Sequence, residues 1–181
     1  DVRSLTTMAV AGTRPAVEGP DALWASPKNR DEHESVIEDL VARLSAWGEV
    51  RASSTEARRF GSLAHLVADI RLDSRRALDF EPVVRRLHPT PALGVYPRGE
   101  AGSEWLGQID PQGERRRFGA PFGLRMPSGR GRCLVAIRGV QYAAGRLDIW
   151  AGCGVVSMSR YEDEWSEVIQ KIEAVREQWG L

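Results

Sequence analysis

Apolar and polar positions along this chain repeat with two periods, about 3.6 and 2, and the switches between them outline an α+β fold. The opening stretch, Arg3 to Val10, has strand character and ends at Ala11-Gly-Thr-Arg-Pro15, after which Gly19-Pro20 marks a turn. Ser26-Pro27 supplies an N-cap and a first-turn proline for a helix from about Lys28 to Trp47, with Val36, Ile37, Leu40, Val41 and Leu44 on its buried face. A second strand is expected over Leu63 to Ile70, with His65 inside it, and a short helix over Leu78 to Leu87, ended by His88-Pro89-Thr90-Pro91. From Arg98 to Ile109 the pattern is ambiguous, because Gly99 and Gly102 weaken a helix. Cys133 to Tyr142 and Arg146 to Ala151 read as two strands around a tight turn at Ala143-Ala144-Gly145.

The last thirty or so residues carry the densest chemistry. A Gly-rich turn, Ala151-Gly-Cys-Gly154, runs into an acidic helix that Ser159 and Glu162 open in the form of a capping box. Trp165, Val168, Ile169, Ile172 and Val175 form its expected apolar stripe. Glu164, Glu167 and Lys171, at i, i+3 and i+7, project together beside that stripe, at the edge of the core. As a solvated face these groups would amount to intrahelical pairing. At a core edge, two carboxylates and an ammonium have the makings of a metal-and-anion site.

Two further charges are candidates for inward placement. Period-two alternation puts Arg138 on one strand face with Leu134, Ala136 and Val140, where a guanidinium needs either a carboxylate of the protein or an anionic ligand. Glu32 lies in the acidic run Asp31-Glu-His-Glu34 near the start of the long helix, one turn before Val36. A first-turn carboxylate ordinarily complements the helix dipole. Combined with Glu164 and Glu167, it would complete an oxygen-only donor set of the kind that suits Mg²⁺ shared with an anionic substrate.

Composition narrows the picture. A chain of 181 residues with 42% apolar residues suits a single domain, and zero formal net charge gives no general attraction for nucleic acid. Among 25 basic residues the only lysines are Lys28 and Lys171. Cys133 and Cys153 lack metal-ligand spacing and read as buried thiols. No run reaches the ~18 apolar residues of a membrane span and no signal-peptide core opens the chain, so a cytoplasmic setting is expected.

Six stretches, taken in order, resemble the C-terminal part of the chorismate-utilising enzymes, the group that includes isochorismate synthase, salicylate synthase and the large components of anthranilate and aminodeoxychorismate synthase. They are Ala11-Gly-Thr-Arg-Pro15, Lys28-Asn-Arg-Asp-Glu-His33, His65-Leu66, Leu87-His-Pro-Thr-Pro-Ala-Leu-Gly94, Ala136-Ile-Arg138, and Ala151-Gly-Cys-Gly-Val-Val156 through Glu164, Glu167 and Lys171. The resemblance implies an α+β fold with a mixed or antiparallel sheet packed with helices, 1–181 forming the C-terminal part of one catalytic domain. It implies Mg²⁺ ligation by Glu32 and Glu167, with Glu164 ligating or acting through water. Arg138, the backbone at Gly152 and Lys171 would bind the carboxylates of chorismate or isochorismate, and His65 and Ala92 would line the ring pocket. The His-Pro-Thr-Pro-Ala form, Ala92 and Phe118 resemble the isochorismate synthase branch, in which water attacks C2 as the C4 hydroxyl departs.

The departures from the family pattern matter as well. The family's general base lysine and general acid glutamate lie upstream of the Ala-Gly-Thr motif, so they are expected upstream of Asp1, and most of the family's first half is absent. Val95 replaces a glycine and is expected to narrow the pocket. The chain is then a fragment, one chain of a split enzyme awaiting its N-terminal half or a partner, or a non-catalytic chorismate-binding remnant. An anthranilate, aminodeoxychorismate or salicylate synthase remains an alternative, and the product's destination, menaquinone, siderophore or salicylate, stays open. A reading of another class takes Arg115, Arg116, Arg117, Arg125, Arg130 and Arg132 as phosphate contacts, with Trp105 and Phe118 for stacking on nucleic acid. A solvated loop is the plainer account of those arginines.

Overall fold

The computed structural model describes residues 2–110 and 115–181. Its centre is a long strand, β4 (Leu63–Ser74), buried throughout its first half, Leu63 to Ala68, and alternating in its second, where Ile70 and Leu72 point to the core and Asp69 and Arg71 to solvent. Strand β1 (Ser4–Pro15) pairs antiparallel along one edge of β4. The other edge is shared by β2 (Gly48–Ala52), opposite Ile70–Ser74, and β3 (Glu56–Phe60), opposite Leu63–Val67. The expected strands thus run longer than their patterns indicate. β2 and β3 are not legible in the sequence because they are five-residue edge strands rich in Glu and Arg, whose ion pairs, such as Arg58 with Asp69, lie on the surface.

One face of this sheet is closed by helices α1 (Pro20–Ala25) and α2 (Pro27–Ser45). Ser26 caps α2 as expected, its Oγ accepting from the Asn29 N–H at 3.3 Å, with Pro27 in the first turn. Val36, Leu40 and Leu44 pack on Ala9, Ala11, Ala68, Ile70 and Leu72, flanked by Ile37 and Val41, so the expected buried face of α2 is the one observed. Small residues on β1 and at Ala68 let the helix approach closely. A second cluster of Leu23, Ala64 and Leu66 lies under α1.

The following segment packs beside α2, through Leu87 on the core and Tyr96 and Arg98 on Glu38 and Asp39. Helix α3 (Phe80–Leu87) is followed by α4 (Glu100–Ile109), which forms despite its glycines. A side chain at Gly102 would meet both methyls of Val95 at 3.0 and 3.2 Å, so that glycine makes room for Val95 to pack on α4. Val95 therefore packs against α4.

The stretch expected as one strand from Cys133 to Tyr142 is broken. Strand β5 (Pro121–Arg125) pairs with β6 (Gly131–Val135), and β7 (Val140–Ala143) pairs with β8 (Arg146–Ile149), around the expected turn. Between them Arg138 adopts φ 56°, so the shared face with Leu134, Ala136 and Val140 does not exist. Cys133 is exposed and Cys153 half-buried, contrary to the expectation of two buried thiols.

The last element, α5 (Tyr161–Trp179), is the expected acidic helix, with its charged stripe buried more deeply than most of the expected apolar one, of which Val175 is buried and Val168 and Ile172 are half-buried. Glu164, Glu167, Lys171 and Val175 are the buried residues, while Trp165 is 55% exposed. The capping box is not formed. The helix starts after Arg160 without a side-chain cap, and Ser159 Oγ instead accepts from the Val156 N–H and donates to Glu164. Among the described residues no helix is long and apolar enough to cross a membrane.

Leu40 sits 1% exposed at the centre of the sheet–helix contact. Leu40→Ala is expected to cost about 2–5 kcal/mol in unfolding free energy, read from urea denaturation, with an unchanged slope if the native state is otherwise intact.

Candidate active site

Helices α2 and α5, distant in sequence, bring their charged faces together. Glu32 comes from the second turn of α2, where the cap at Ser26 and the apolar stripe from Val36 onward fix the rotation of the helix. Glu164 and Glu167 come from the first two turns of α5. The Gly152–Gly154 turn passes beside them. A Cβ at Gly154 would lie 2.4 Å from Glu32 Oε1, so only glycine lets the backbone approach that carboxylate. At Gly152 a Cβ would meet nothing within 4 Å; its contribution is a carbonyl that accepts from Lys171 Nζ at 2.7 Å. The space beside Gly152 is open, and the tight backbone approach to a site carboxylate is made by Gly154.

The three carboxylates close on Lys28, a residue to which sequence reasoning assigns no site role. Its Nζ lies 3.2 Å from Glu32 Oε2, 3.0 Å from Glu164 Oε1 and 3.2 Å from Glu167 Oε2. Lys171 Nζ reaches Glu167 Oε1 at 2.5 Å. Two features of the sequence mark Lys28: it precedes Glu32 by one helical turn, and it is one of only two lysines in an otherwise arginine-based chain, both of which fall in this cluster. Among the described residues no three His, Cys, Asp or Glu side chains stand ready around an open metal position.

Burial and charge compete at each group. Burial works against the Lys28 charge, but Glu32, Glu167 and Glu164 outweigh it and hold the ammonium above its usual range. Burial raises the Glu32 carboxyl above its ordinary value, against the pull of Lys28. Glu167 feels the same burial, yet Lys171 and Lys28 overcome it and hold this carboxyl below the usual value. Three carboxylates and two ammonium groups leave the cluster with a net negative charge.

Arg138 faces this cluster from its left-handed turn. Burial pulls its guanidinium below the ordinary value, with Glu167 acting in the opposite direction. No carboxylate comes within ion-pair distance of Arg138 among the described residues, so of its two possible partners the protein does not supply one.

His65 completes this side of the site. Strand β1 shifts register between Ala11 and Thr13, with Gly12 at φ 68°, and the Gly12 carbonyl lies 2.9 Å from His65 Nδ1. A carbonyl only accepts, so Nδ1 carries the hydrogen and Nε2 is left as an acceptor. Burial, against the Gly12 carbonyl but aided by Arg138 and Lys171, pushes the imidazole down to about 4, so the ring is neutral at pH 7. Ala92 stands exposed in the turn closed by Leu93 and Gly94 donating to Thr90.

The arginine-rich middle is partly neutralised. Arg115 pairs with Asp110 and Arg116 with Asp148, and Phe118 stacks on Trp150 with ring centroids 6.5 Å apart.

Comparison with known proteins settles the family. The model of the chorismate binding enzymes matches residues 1–180. The chain belongs to that family. It is 34% identical over 158 residues to the salicylate biosynthesis isochorismate synthase of Pseudomonas aeruginosa, covering 86% of this chain and 33% of that protein. It is 28% identical to isochorismate synthase EntC of Escherichia coli, covering 91% and 42%, and 29% identical to anthranilate synthase component 1 of Pseudomonas putida, covering 94% and 36%. The solved structure of MenF, the menaquinone-specific isochorismate synthase of Escherichia coli, superposes with a TM-score of 0.82 at 25% identity, covering 96% of this chain and 42% of that one. The chain thus spans between a third and a half of the relatives it resembles. Its α+β fold, with antiparallel sheets packed against helices, is shared with them.

Two outcomes are expected here. Gly154→Ala should push Glu32 out of the cluster, abolishing any ligand or metal response seen by calorimetry while a cooperative thermal transition persists. Because His65 has a folded value below that of the unfolded chain, its contribution to stability is complete above about pH 6.5 and is lost as pH falls toward 4. The thermal midpoint should therefore drop across that window, and less steeply in His65→Gln.

Proposed function

We propose that this chain supplies the metal- and carboxylate-binding part of an isochorismate synthase site, for the reaction that moves the hydroxyl of chorismate from C4 to C2. The observation that carries this reading is the convergence of Glu32, Glu164 and Glu167 from two helices beside a half-buried arginine without a protein partner among the described residues. Carboxylate oxygens alone suit a hard cation, and the buried Glu32 Oε2 and Glu167 Oε1 have, among the described residues, only the exchangeable charges of Lys28 and Lys171 as partners. The residues thus fit Mg²⁺, held by Glu32 and Glu167 with Glu164 ligating or acting through water. Bound there, Mg²⁺ would neutralise the ring carboxylate and polarise the conjugated ring.

The remaining roles belong to the protein. Arg138 pairs with the enolpyruvyl carboxylate as a bidentate donor. Lys171, steered by the Gly152 carbonyl and Glu167, offers its charge to the other anionic end. Neutral His65 presents Nε2 as an acceptor for a substrate hydroxyl, and Ala92 borders the ring. The general base and acid come from outside this set, from the portion of the relatives that the chain does not span or from a partner chain. Among the branches, Ala92 and Phe118 favour isochorismate synthase over the anthranilate and salicylate types.

The test is incubation with chorismate and Mg²⁺, products being separated chromatographically and binding followed by calorimetry. Isochorismate, or Mg²⁺-dependent binding without turnover, supports the reading, and absence of both overturns it. Glu167→Gln should abolish the Mg²⁺-dependent binding. Arg138→Gln should weaken chorismate by about 2–5 kcal/mol, the scale expected when one partner of a desolvated charge pair is lost.

A further inference from the structure

The position between the three carboxylates is filled by a cation of the protein's own. Lys28 Nζ, within 3.0–3.2 Å of Glu32, Glu164 and Glu167, sits where an ion bridging the two helices would sit. Two features distinguish it from an ordinary internal ion pair. Glu32 Oε2 and Glu167 Oε1 are buried, and among the described residues their partners are the ammonium groups of Lys28 at 3.2 Å and Lys171 at 2.5 Å, so no other donor holds these oxygens when the cation between them changes. A polar cavity of about 100 Å³ also adjoins Lys28, lined by Ser26, Ser159, Asp163, Ser166 and Gln170 among others, and gives the four-carbon stem somewhere to go.

Residue chemistry points the same way. An ammonium is a compact, rotatable point charge that can be approached from any direction, whereas a guanidinium confines its donors to one plane. A chain that otherwise uses arginine for its basic positions has lysine at this one and at Lys171. Charge balance favours an exchange as well. With Lys28 in place the cluster stays net negative; with a divalent cation in its stead, the three carboxylates and Lys171 come to neutrality.

We propose that Lys28 is a displaceable internal cation, which holds Glu32, Glu164 and Glu167 together until a divalent cation enters and then withdraws into the adjoining cavity toward Asp163. This rests on the metal-binding reading above and adds a residue to it. The carboxylates are then kept assembled without metal, and metal affinity is set by competition with a tethered ammonium.

Titration of MgCl₂ into chelator-treated protein tests the idea, comparing wild type with Lys28→Met by calorimetry and by thermal midpoint in chelator. Lys28→Met should bind Mg²⁺ on the order of tenfold more tightly or better, a gain of about 1.4 kcal/mol per factor of ten. It should also melt lower in chelator and recover with Mg²⁺. Equal or weaker Mg²⁺ binding by the folded variant overturns the displacement. A readout that does not need the variant is acylation of Lys28 in wild type, followed by peptide mass: Mg²⁺ should increase it, and protection by Mg²⁺ overturns the proposal. If Mg²⁺ binds neither protein at millimolar concentration, the metal reading falls too; binding to wild type without a gain in Lys28→Met removes the displacement alone.

Discussion

Burial of three carboxylates where α2 meets α5 is the constraint on which the site depends. Carboxylates removed from water without counter-charges carry a penalty of several kcal/mol each, and an apolar residue cannot relieve it. Lys28 and Lys171 relieve it here, one from each helix. The rotation of α5 follows: the helix turns its charged stripe inward and leaves Trp165 and Ile169 outside, against the ordinary preference of a helix for burying its apolar face. Stability and binding capacity therefore reside in the same few atoms.

The sheet and α2 make that arrangement rigid. β4, paired along its whole length, fixes the plane on which Val36, Leu40 and Leu44 seat α2, and Ser26 fixes where the helix begins. Glu32 then has one place to point, and the backbone of Gly154 closes over it. By contrast, Arg138 is carried between two short hairpins whose side chains Phe122, Leu134 and Tyr142 are largely exposed. The acidic half of the site is embedded in the core, and the arginine that faces it is held by lighter structure.

What can be read from the sequence is local. Apolar spacing identifies α2 with its buried face, and the i, i+3, i+7 pattern puts Glu164, Glu167 and Lys171 on one side of α5. The resemblance carried by six short motifs supplies Glu32 as their companion, which spacing alone leaves as a dipole-complementing charge. What cannot be read depends on tertiary proximity. Lys28 at the centre of the carboxylates requires knowing that α2 and α5 meet, and Gly154 against Glu32 that the Gly-rich segment crosses α2, while the diversion of Ser159 from capping to Glu164 is a local choice between two acceptable partners. Alternation places Arg138 on a strand face because the period of two persists through a residue whose φ of 56° ends the strand. An alternating pattern records side-chain polarity and is silent on a reversal of the backbone.

The irregularity of β1 at Gly12 has a reach beyond the sheet. By taking one residue out of register, it turns a backbone carbonyl away from the ladder and toward the imidazole on the neighbouring strand. The location of one hydrogen atom on His65, and hence which edge of the ring is basic, is thereby written at position 12, by the residue that has no side chain. Two histidines identical in sequence and burial would differ in chemistry if their strands differed by that single inserted residue.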